Sequence, residues 1–154
     1  MPTGLPWSKE DAFGSHLYSL ELDGVTIAQC SEVSGLVQEV EMIQHYENNG
    51  KGKMVLKLVP GKHKPVSITL KRFSNSSLDL SNWFKQVADG KVKEARRNGS
   101  LVVYDYDRNA EVARYDFTNA WPSKITHGGT YKADANTLAT EEVVIQCERL
   151  ERKK

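Results

Sequence analysis

Few residues of this chain have the types and spacing that chemistry requires. The run Gly50-Lys51-Gly52-Lys53 has the glycine and lysine content of a phosphate-binding loop. Such a loop needs its final Gly-Lys to be followed by Ser or Thr at the start of a helix, and here Met54 begins a strand-like run. The pattern therefore favours an ordinary loop over a nucleotide site.

Metal and acid–base sites are no better indicated. Glu39 and Glu41 share one face of a predicted strand, whereas paired catalytic acids usually come from different elements across a cleft. A solvated sheet face explains them more simply. The histidines fall on separate segments with no second ligand two or four positions away, which favours surface positions: His16, His45, His63 and His127. We expect no catalytic residue, cofactor or metal.

The cysteines and the basic residues point to no site either. Cys30 and Cys147 are too far apart for a CxxC motif, and we expect both to be small strand residues that face a core. The basic stretch Lys91–Gly99 is interrupted by Glu94 and has no aromatic residues to stack on bases, so a solvated connector is the simpler interpretation. With 21 basic and 20 acidic residues, the whole chain does not attract nucleic acid through its net charge.

Length and composition favour one soluble domain. The 154 residues fit a single domain, which we place at 15–154 after an N-terminal arm at 1–14. No apolar run approaches the roughly 20 residues of a membrane span. The start, MPTGLPWSKEDAFG, resembles neither a signal peptide nor a transit peptide, so we expect synthesis and folding in the cytoplasm.

The elements are mostly strands. Leu17–Leu22 and Val25–Cys30 flank Asp23-Gly24, which predicts a hairpin with a type I′ turn. In Val66–Phe73 the apolar residues Val66, Ile68 and Leu70 alternate with Ser67, Thr69 and Lys71, which predicts a half-buried strand.

One helix is predicted. Its apolar residues recur at helical spacing, with Ser77 or Asp79 as N-cap and Gly90 at the end: Leu80, Trp83, Phe84 and Val87. These aromatic residues belong either to the core or to a subunit seam.

The later strands complete a β-rich domain. Residues 101–106 and 111–121 predict a second hairpin about Asp107–Asn109, with Ala113, Tyr115, Phe117 and Trp121 on one face, before a loop that contains Pro122. The last predicted strand covers Glu141–Leu150. Seven or eight strands and one helix predict two packed antiparallel sheets that form a small β-barrel with one flanking helix.

The longest feature is a hairpin from Leu36 to Pro60, with Pro60-Gly61 predicted to end its second strand. Leu36, Val40, Met42 and Tyr46 fall on one face of its first strand, as do Met54, Leu56 and Leu58 on its second strand. Two long strands without partners would be an aggregation hazard in a monomer. We therefore expect the hairpin to pair with another copy of the chain.

In order and spacing, several segments resemble the tail tube proteins of contractile phages and of phage-tail-like contractile injection systems. They are Ser31–Leu36, the tip YENNGKGK at 46–53, Leu58–Phe73, Leu80–Val87, Asn119–Gly128 and Asn136–Arg149. The resemblance implies six copies in a ring and rings stacked into a hollow tube inside a contractile sheath, with baseplate and cap proteins at its ends. It also implies assembly in the bacterial cytoplasm, a phage virion or released tail-like particle as the final location, and a lumen that carries phage DNA or a protein cargo.

Under this interpretation two groups of residues have roles. The tip is expected to contact the next ring or subunit: Tyr46, Asn48, Asn49, Gly50, Lys51, Gly52 and Lys53. The polar strand face is the candidate lumen lining: Glu39, Glu41, His45 and Lys57. Two alternatives stay open, namely the haemolysin-coregulated tube protein of type VI secretion and a monomeric barrel that binds a small ligand.

Overall fold

The computed structural model of the chain describes residues 14–23, 30–74, 78–105, 110–128, 131–134 and 136–154. The arm predicted at 1–14 therefore lies, apart from Gly14, outside the described residues. The strands are β1 (Tyr18–Leu22), β2 (Cys30–Ser34), β3 (Val40–Asn48), β4 (Met54–His63), β5 (Val66–Phe73), β6 (Arg97–Tyr104), β7 (Glu111–His127), β8 (Thr140–Cys147) and β9 (Arg149–Arg152). The helices are α1 (Asp79–Ala88) and α2 (Val92–Ala95).

Strand β7 belongs to two antiparallel layers. Its first part pairs with β6 and β9, and β1 joins the other side of β6; we name this layer sheet A. Its second part pairs with β8, which is followed by β5 and β2; we name this layer sheet B. Between the two parts, Asn119 has a φ of 51°, a left-handed value that Asn tolerates better than most residues. The local change of direction turns β7 from one layer into the other.

The two layers also meet at their far strands. β1 and β2 are the ends of the strand order, and the Tyr18 hydroxyl donates a hydrogen bond of 3.2 Å to the Cys30 carbonyl. No backbone pairing joins β1 to β2 among the described residues. The predicted fold class, mainly β with two packed antiparallel sheets and a flanking helix, is confirmed.

The core lies between the sheets and under helix α1. Val66, Ile68 and Leu70 of β5 are buried as their alternation predicts. Leu80 and Trp83 of α1 are buried in the same cluster, and the Trp83 Nε1 donates a hydrogen bond of 2.6 Å to the Ala95 carbonyl in α2. The helix stripe therefore faces the core.

The helix caps differ in part from the prediction. Leu78 is the N-cap residue and makes no side-chain cap bond. Asp79 lies in the first turn, where its negative charge interacts favourably with the positive end of the helix dipole. Ser77 lies outside the described residues. Gly90 has a φ of 83°, as the predicted end requires. Part of the predicted connector at 91–99 forms α2 and the start of β6.

Several strand limits predicted from the sequence are wrong. Pro60 and Gly61 do not end β4, which continues to His63 past a register shift opposite Val40 and Met42. A proline is tolerated there because, in an edge strand or at a bulge, its position does not need a backbone N–H to donate to a neighbouring strand. Pro122 likewise lies within β7, not in a loop, next to another register shift.

Two pairings also differ from expectation. β1 pairs with β6 and β2 with β5, so the described strands do not form the predicted first hairpin; its turn and most of its second strand, at 24–29, lie outside the described residues. The single predicted last strand is two strands in different sheets, β8 and β9, separated at Glu148. The β6–β7 hairpin is confirmed, although its turn at 106–109 is not described.

Candidate assembly surface

The β3–β4 hairpin forms a separate two-stranded sheet. Every residue of β3 is exposed, and so is every residue of β4 except Gly61. Directly opposite residues share a face in an antiparallel pair, so the register from Met42–Pro60 to Asn48–Met54 assigns each side chain to one of two faces.

We name the first face the even face, and it is largely apolar. Its large side chains are 46 to 72% exposed: Met42, Tyr46, Met54, Leu56 and Leu58. Isolated exposed hydrophobic residues are normal, but contiguous ones mark an interaction site. The even face is therefore the strongest candidate interface among the described residues.

The opposite face, named the odd face, mixes charge with apolar groups. His45 lies across from Lys57, and its Nε2 is 3.0 Å from the Glu47 Oε1. Glu41 belongs to the same face of β3. The cross-strand pairs Ile43–Val59 and Glu47–Val55 add exposed apolar side chains, so the odd face is less polar than the sequence indicated.

Glu39 lies before β3 at the base of the hairpin. Its Oε1 is 3.1 Å from the Lys64 Nζ, and its carbonyl accepts a hydrogen bond of 2.9 Å from the Lys64 N–H. The structure thus brings together Glu41, His45 and Lys57 of the predicted lumen residues but assigns Glu39 to a different location. The lumen role of all four stays a prediction.

Within the tip, the loop at 49–53 that joins β3 to β4 is stabilised by hydrogen bonds to the side chains of Asn48 and Asn49. The Asn48 Oδ1 accepts from the Gly50 N–H at 3.0 Å, and the Asn49 Oδ1 accepts from the Lys51 N–H at 2.8 Å. Gly50 and Gly52 both have a φ of 78°, which other residues adopt only with strain. The loop therefore has a defined shape, with Lys51 and Lys53 exposed.

The base of the hairpin is anchored to the domain. The Gln38 Nε2 donates a hydrogen bond of 2.6 Å to the Leu150 carbonyl of β9. Beside it lies an open groove of about 630 Å³, lined by residues of both the hairpin base and β9, among them His63, Lys64, Arg149 and Glu151.

Gly35, directly after β2, lies on the segment that leads from the domain to the hairpin. Its φ is 89°, and a Cβ at this position would collide with the Ser67 carbonyl. This segment therefore requires glycine at position 35.

Metal ligands and reactive thiols are not assembled among the described residues. Among them, no group of three His, Cys, Asp or Glu side chains could hold a metal. Cys147 is buried, Cys30 is half-buried, and burial raises the pKa of each thiol to about 11, so neither is an activated nucleophile. In the same part of the chain, none of the helices has the length and apolar character of a membrane span.

Nearly the whole chain matches one protein family. A family model described as "T4-like virus tail tube protein gp19" matches residues 14–151. The chain belongs to this tail tube family. No curated protein sequence matches this tail tube protein significantly.

Solved structures share the tail tube fold. A chain of the sheath–tube complex of the extracellular contractile injection system PVC is 17% identical to this protein; the match covers 94% of this protein and 93% of that chain, with a TM-score of 0.80. A chain of the PVC sheath/tube terminator is 18% identical; the match covers 96% of this protein and 100% of that chain, with a TM-score of 0.81. Hcp1 from Flavobacterium johnsoniae is 20% identical; the match covers 89% of this protein and 94% of Hcp1, with a TM-score of 0.53.

The family resemblance read from the sequence is confirmed, and so is the expectation of a structural tube subunit. Of the large apolar residues of the even face, only Tyr46 was predicted from the sequence to be a contact residue; Met42, Met54, Leu56 and Leu58 were not. Their alternation was visible in the sequence. Only the structure shows that no described element of the domain covers them.

Proposed function

We propose that six copies of this tail tube protein form a ring, and that rings stack head to tail into a hollow inner tube of a contractile particle. The observation that carries this proposal is the uncovered β3–β4 hairpin. Nine of its large hydrophobic side chains are exposed: Val40, Met42, Ile43, Tyr46, Met54, Val55, Leu56, Leu58 and Val59. A domain with its own buried core has no reason to display these residues unless other copies cover them.

The size of this surface suits a stable contact. These side chains are each 37 to 72% exposed and together offer several hundred Å² of apolar area, against the roughly 800 Å² that each partner contributes to a standard interface. The remainder can come from backbone edges, because both β3 and β4 have an unpaired edge among the described residues.

The proposed ring sets the kind of contact. In a ring of six, the hairpin surface of one copy meets a different surface on the next copy, and such heterologous contacts close into rings or continue as filaments. We assign the tip to the axial contact with the next ring, since Lys51 and Lys53 extend from a loop whose backbone shape is already set.

The partners follow the same proposal. The similar chains come from a sheath–tube complex, a tube terminator, a tube-terminating cap and a baseplate, so we assign this protein a contractile sheath, a cap and a baseplate. We place it in a virion or a tail-like particle that is assembled in the bacterial cytoplasm. Its function is mechanical rather than enzymatic: the tube conducts a protein cargo or phage DNA through a target envelope. The higher TM-score of the PVC chain, 0.80 against 0.53 for Hcp1, favours an injection-system tube over the haemolysin-coregulated alternative, and the family model extends the likeness to a phage tail tube.

Imaging of the purified full-length protein tests this proposal. Negative-stain micrographs should show rings or tubes, and light scattering on the ring fraction should give six times the chain mass of 17.3 kDa. A matched variant, in which a short Gly-Ser linker replaces residues 40–63, should remain folded but monomeric. A wild-type protein that stays monomeric at high concentration would support the small ligand-binding barrel instead.

A further inference from the structure

The tip of the β3–β4 hairpin contains Asn49 followed directly by Gly50, and both residues are exposed. Because glycine has no Cβ atom, its backbone nitrogen is open to approach by the side-chain amide of the preceding residue. We propose that Asn49-Gly50 is a self-modification site, at which the Gly50 nitrogen displaces ammonia from the Asn49 side chain. Water is the only other reactant.

The reaction is a ring closure followed by hydrolysis. A bond forms between the Gly50 nitrogen and the Asn49 Cγ, and the bond from Cγ to the side-chain nitrogen breaks. That nitrogen leaves as ammonia, with the proton of the Gly50 N–H, and a five-membered succinimide remains. Water then opens the ring at either carbonyl. The product at position 49 is an aspartyl residue or its isomer, isoaspartate, and no group is oxidised or reduced.

The hydrogen bonds of the tip favour the attack. The Asn49 Oδ1 accepts from the Lys51 N–H at 2.8 Å and from the Lys53 N–H at 3.3 Å. Negative charge develops on this oxygen as the ring closes, so the two backbone donors act as an oxyanion hole does. The Gly50 N–H donates to the Asn48 Oδ1 at 3.0 Å, and an acceptor on this N–H raises the electron density of the attacking nitrogen.

The sequence contains a second Asn-Gly pair, Asn98-Gly99, in a different setting. This pair lies within β6, which pairs with β1 on one side and with β7 on the other. The space around Gly99 is filled, because a Cβ atom there would lie 2.6 Å from the Phe117 ring. Ring closure would require this part of β6 to leave its partners. We therefore expect Asn98 to stay intact in the folded protein, which gives the chain an internal control.

Modification changes both the charge and the shape of the tip. Lys51 and Lys53 give the loop at 49–53 a charge of +2, and one new carboxylate at position 49 lowers it to +1. Isoaspartate also carries the main chain through the former side chain, so the loop loses the turn that the Asn49 Oδ1 stabilises. If the tip makes the axial contact proposed above, modified subunits stack poorly. This consequence rests on the proposed function, whereas the reaction itself does not.

Peptide mass spectrometry of the full-length protein tests the reaction. Protein at a concentration below that at which tubes form is incubated at mildly alkaline pH, with and without urea. In the folded sample we expect Asn49 to convert at least about tenfold faster than Asn98, a small part of what one oxyanion donor contributes in an enzyme. Asn49 should also convert at least as fast as in urea, because its two donors are in place only in the folded tip. In urea both pairs should convert.

Two results would overturn the inference. If Asn49 converts more slowly in the folded sample than in urea, the tip protects this amide. If Asn49 and Asn98 convert at equal rates in the folded protein, the tip gives Asn49 no advantage.

Tube lengths test the consequence for stacking. Tubes are grown from fresh and from incubated protein, and incubation should shorten the tubes of the wild type. Asn49→Gln is the matched control, since its longer side chain closes a six-membered ring much more slowly, and its incubated and fresh samples should give equal lengths. Equal lengths for the wild type despite conversion would refute the effect on stacking. Fresh wild-type protein that forms no tubes would count against the proposed function and leave the mass spectrometry unaffected.

Discussion

Arg72 and Glu141 form an ion pair at the end of sheet B, where they oppose each other on β5 and β8. The Arg72 Nε donates to the Glu141 Oε2 at 2.8 Å, and the side chains are only 2% and 12% exposed. Arg72 occupies the next inward position of β5 after Val66, Ile68 and Leu70, so a charge completes an otherwise apolar row. Removing the partner of a buried charge strongly destabilises a protein, because the remaining charge is then buried without compensation.

Glu141→Gln should lower the free energy of unfolding by about 3 kcal/mol, because it leaves the buried guanidinium without this carboxylate. Urea denaturation of the dispersed protein measures the change. The neighbouring Glu142→Gln is the control: Glu142 is exposed, and its replacement should change stability by less than about 0.5 kcal/mol. Equal stability of the two variants would show that the ion pair is dispensable.

Trp83→Ala should cost about 3–5 kcal/mol of stability, because its indole is 2% exposed and fills the space beneath α1. Trp83→Phe should cost about 1–3 kcal/mol, since it keeps a ring but removes the hydrogen bond to the Ala95 carbonyl. Leu78→Ala, at an exposed position at the start of the same helix, serves as the control in denaturant titrations. A small effect of both Trp83 variants would show that the indole contributes little to holding α1 on the core.

Strands with plain alternation could be predicted from the sequence. In β5 every second residue is apolar, and the structure buries those residues. In β7 the alternation fails: Ala113 and Phe117 are buried, but beyond Asn119 the buried residues are Ala120 and Pro122, while Trp121 faces outwards. A left-handed residue shifts the phase of a strand without any signal in the apolar pattern, so the change of sheet could not be foreseen.

The assembly surface was predictable only in part. The exposed hairpin follows from two long apolar–polar strands around a Gly/Asn/Lys tip. Whether another element of the domain covers the even face depends on contacts between distant segments, such as the bond from Gln38 to Leu150 that anchors the hairpin base. Local sequence patterns do not encode such long-range contacts. They do predict which side chains alternate between the two faces of a strand.

Stability should fall as the pH rises above 9. Burial raises the pKa of Cys30 and Cys147 from 9.0 to about 11, so between these values the unfolded chain loses protons that the folded chain retains. The stabilisation is complete below pH 9 and is lost as the pH rises through 11. Cys147→Ser removes one titrating group and can still donate to the Val66 carbonyl, so its stability should fall less over this range in denaturant titrations. Parallel curves for the variant and the wild type would contradict this assignment.

Leu58→Glu should prevent assembly without unfolding the domain. Leu58 is 57% exposed on the even face, so a charge there costs little in the isolated chain but would be buried in an apolar contact between copies. Lys57→Glu is the matched control, because the adjacent residue points to the odd face. Sedimentation and imaging should show rings and tubes for the control only. Normal tubes from Leu58→Glu would exclude the even face as an interface.

Shortening the tip should separate ring formation from stacking. Replacing residues 49–53 with Asn-Gly gives a two-residue turn that keeps the Asn48–Met54 pair in register, so the hairpin strands and their apolar faces persist. If the tip makes the axial contact, rings of normal mass should form while long tubes disappear. The double change Lys51→Glu and Lys53→Glu keeps the loop and its asparagine bonds but reverses its charge, and it should also shorten the tubes. Tube lengths in electron micrographs decide the matter, and unchanged lengths in both variants would move the axial contact to another part of the ring.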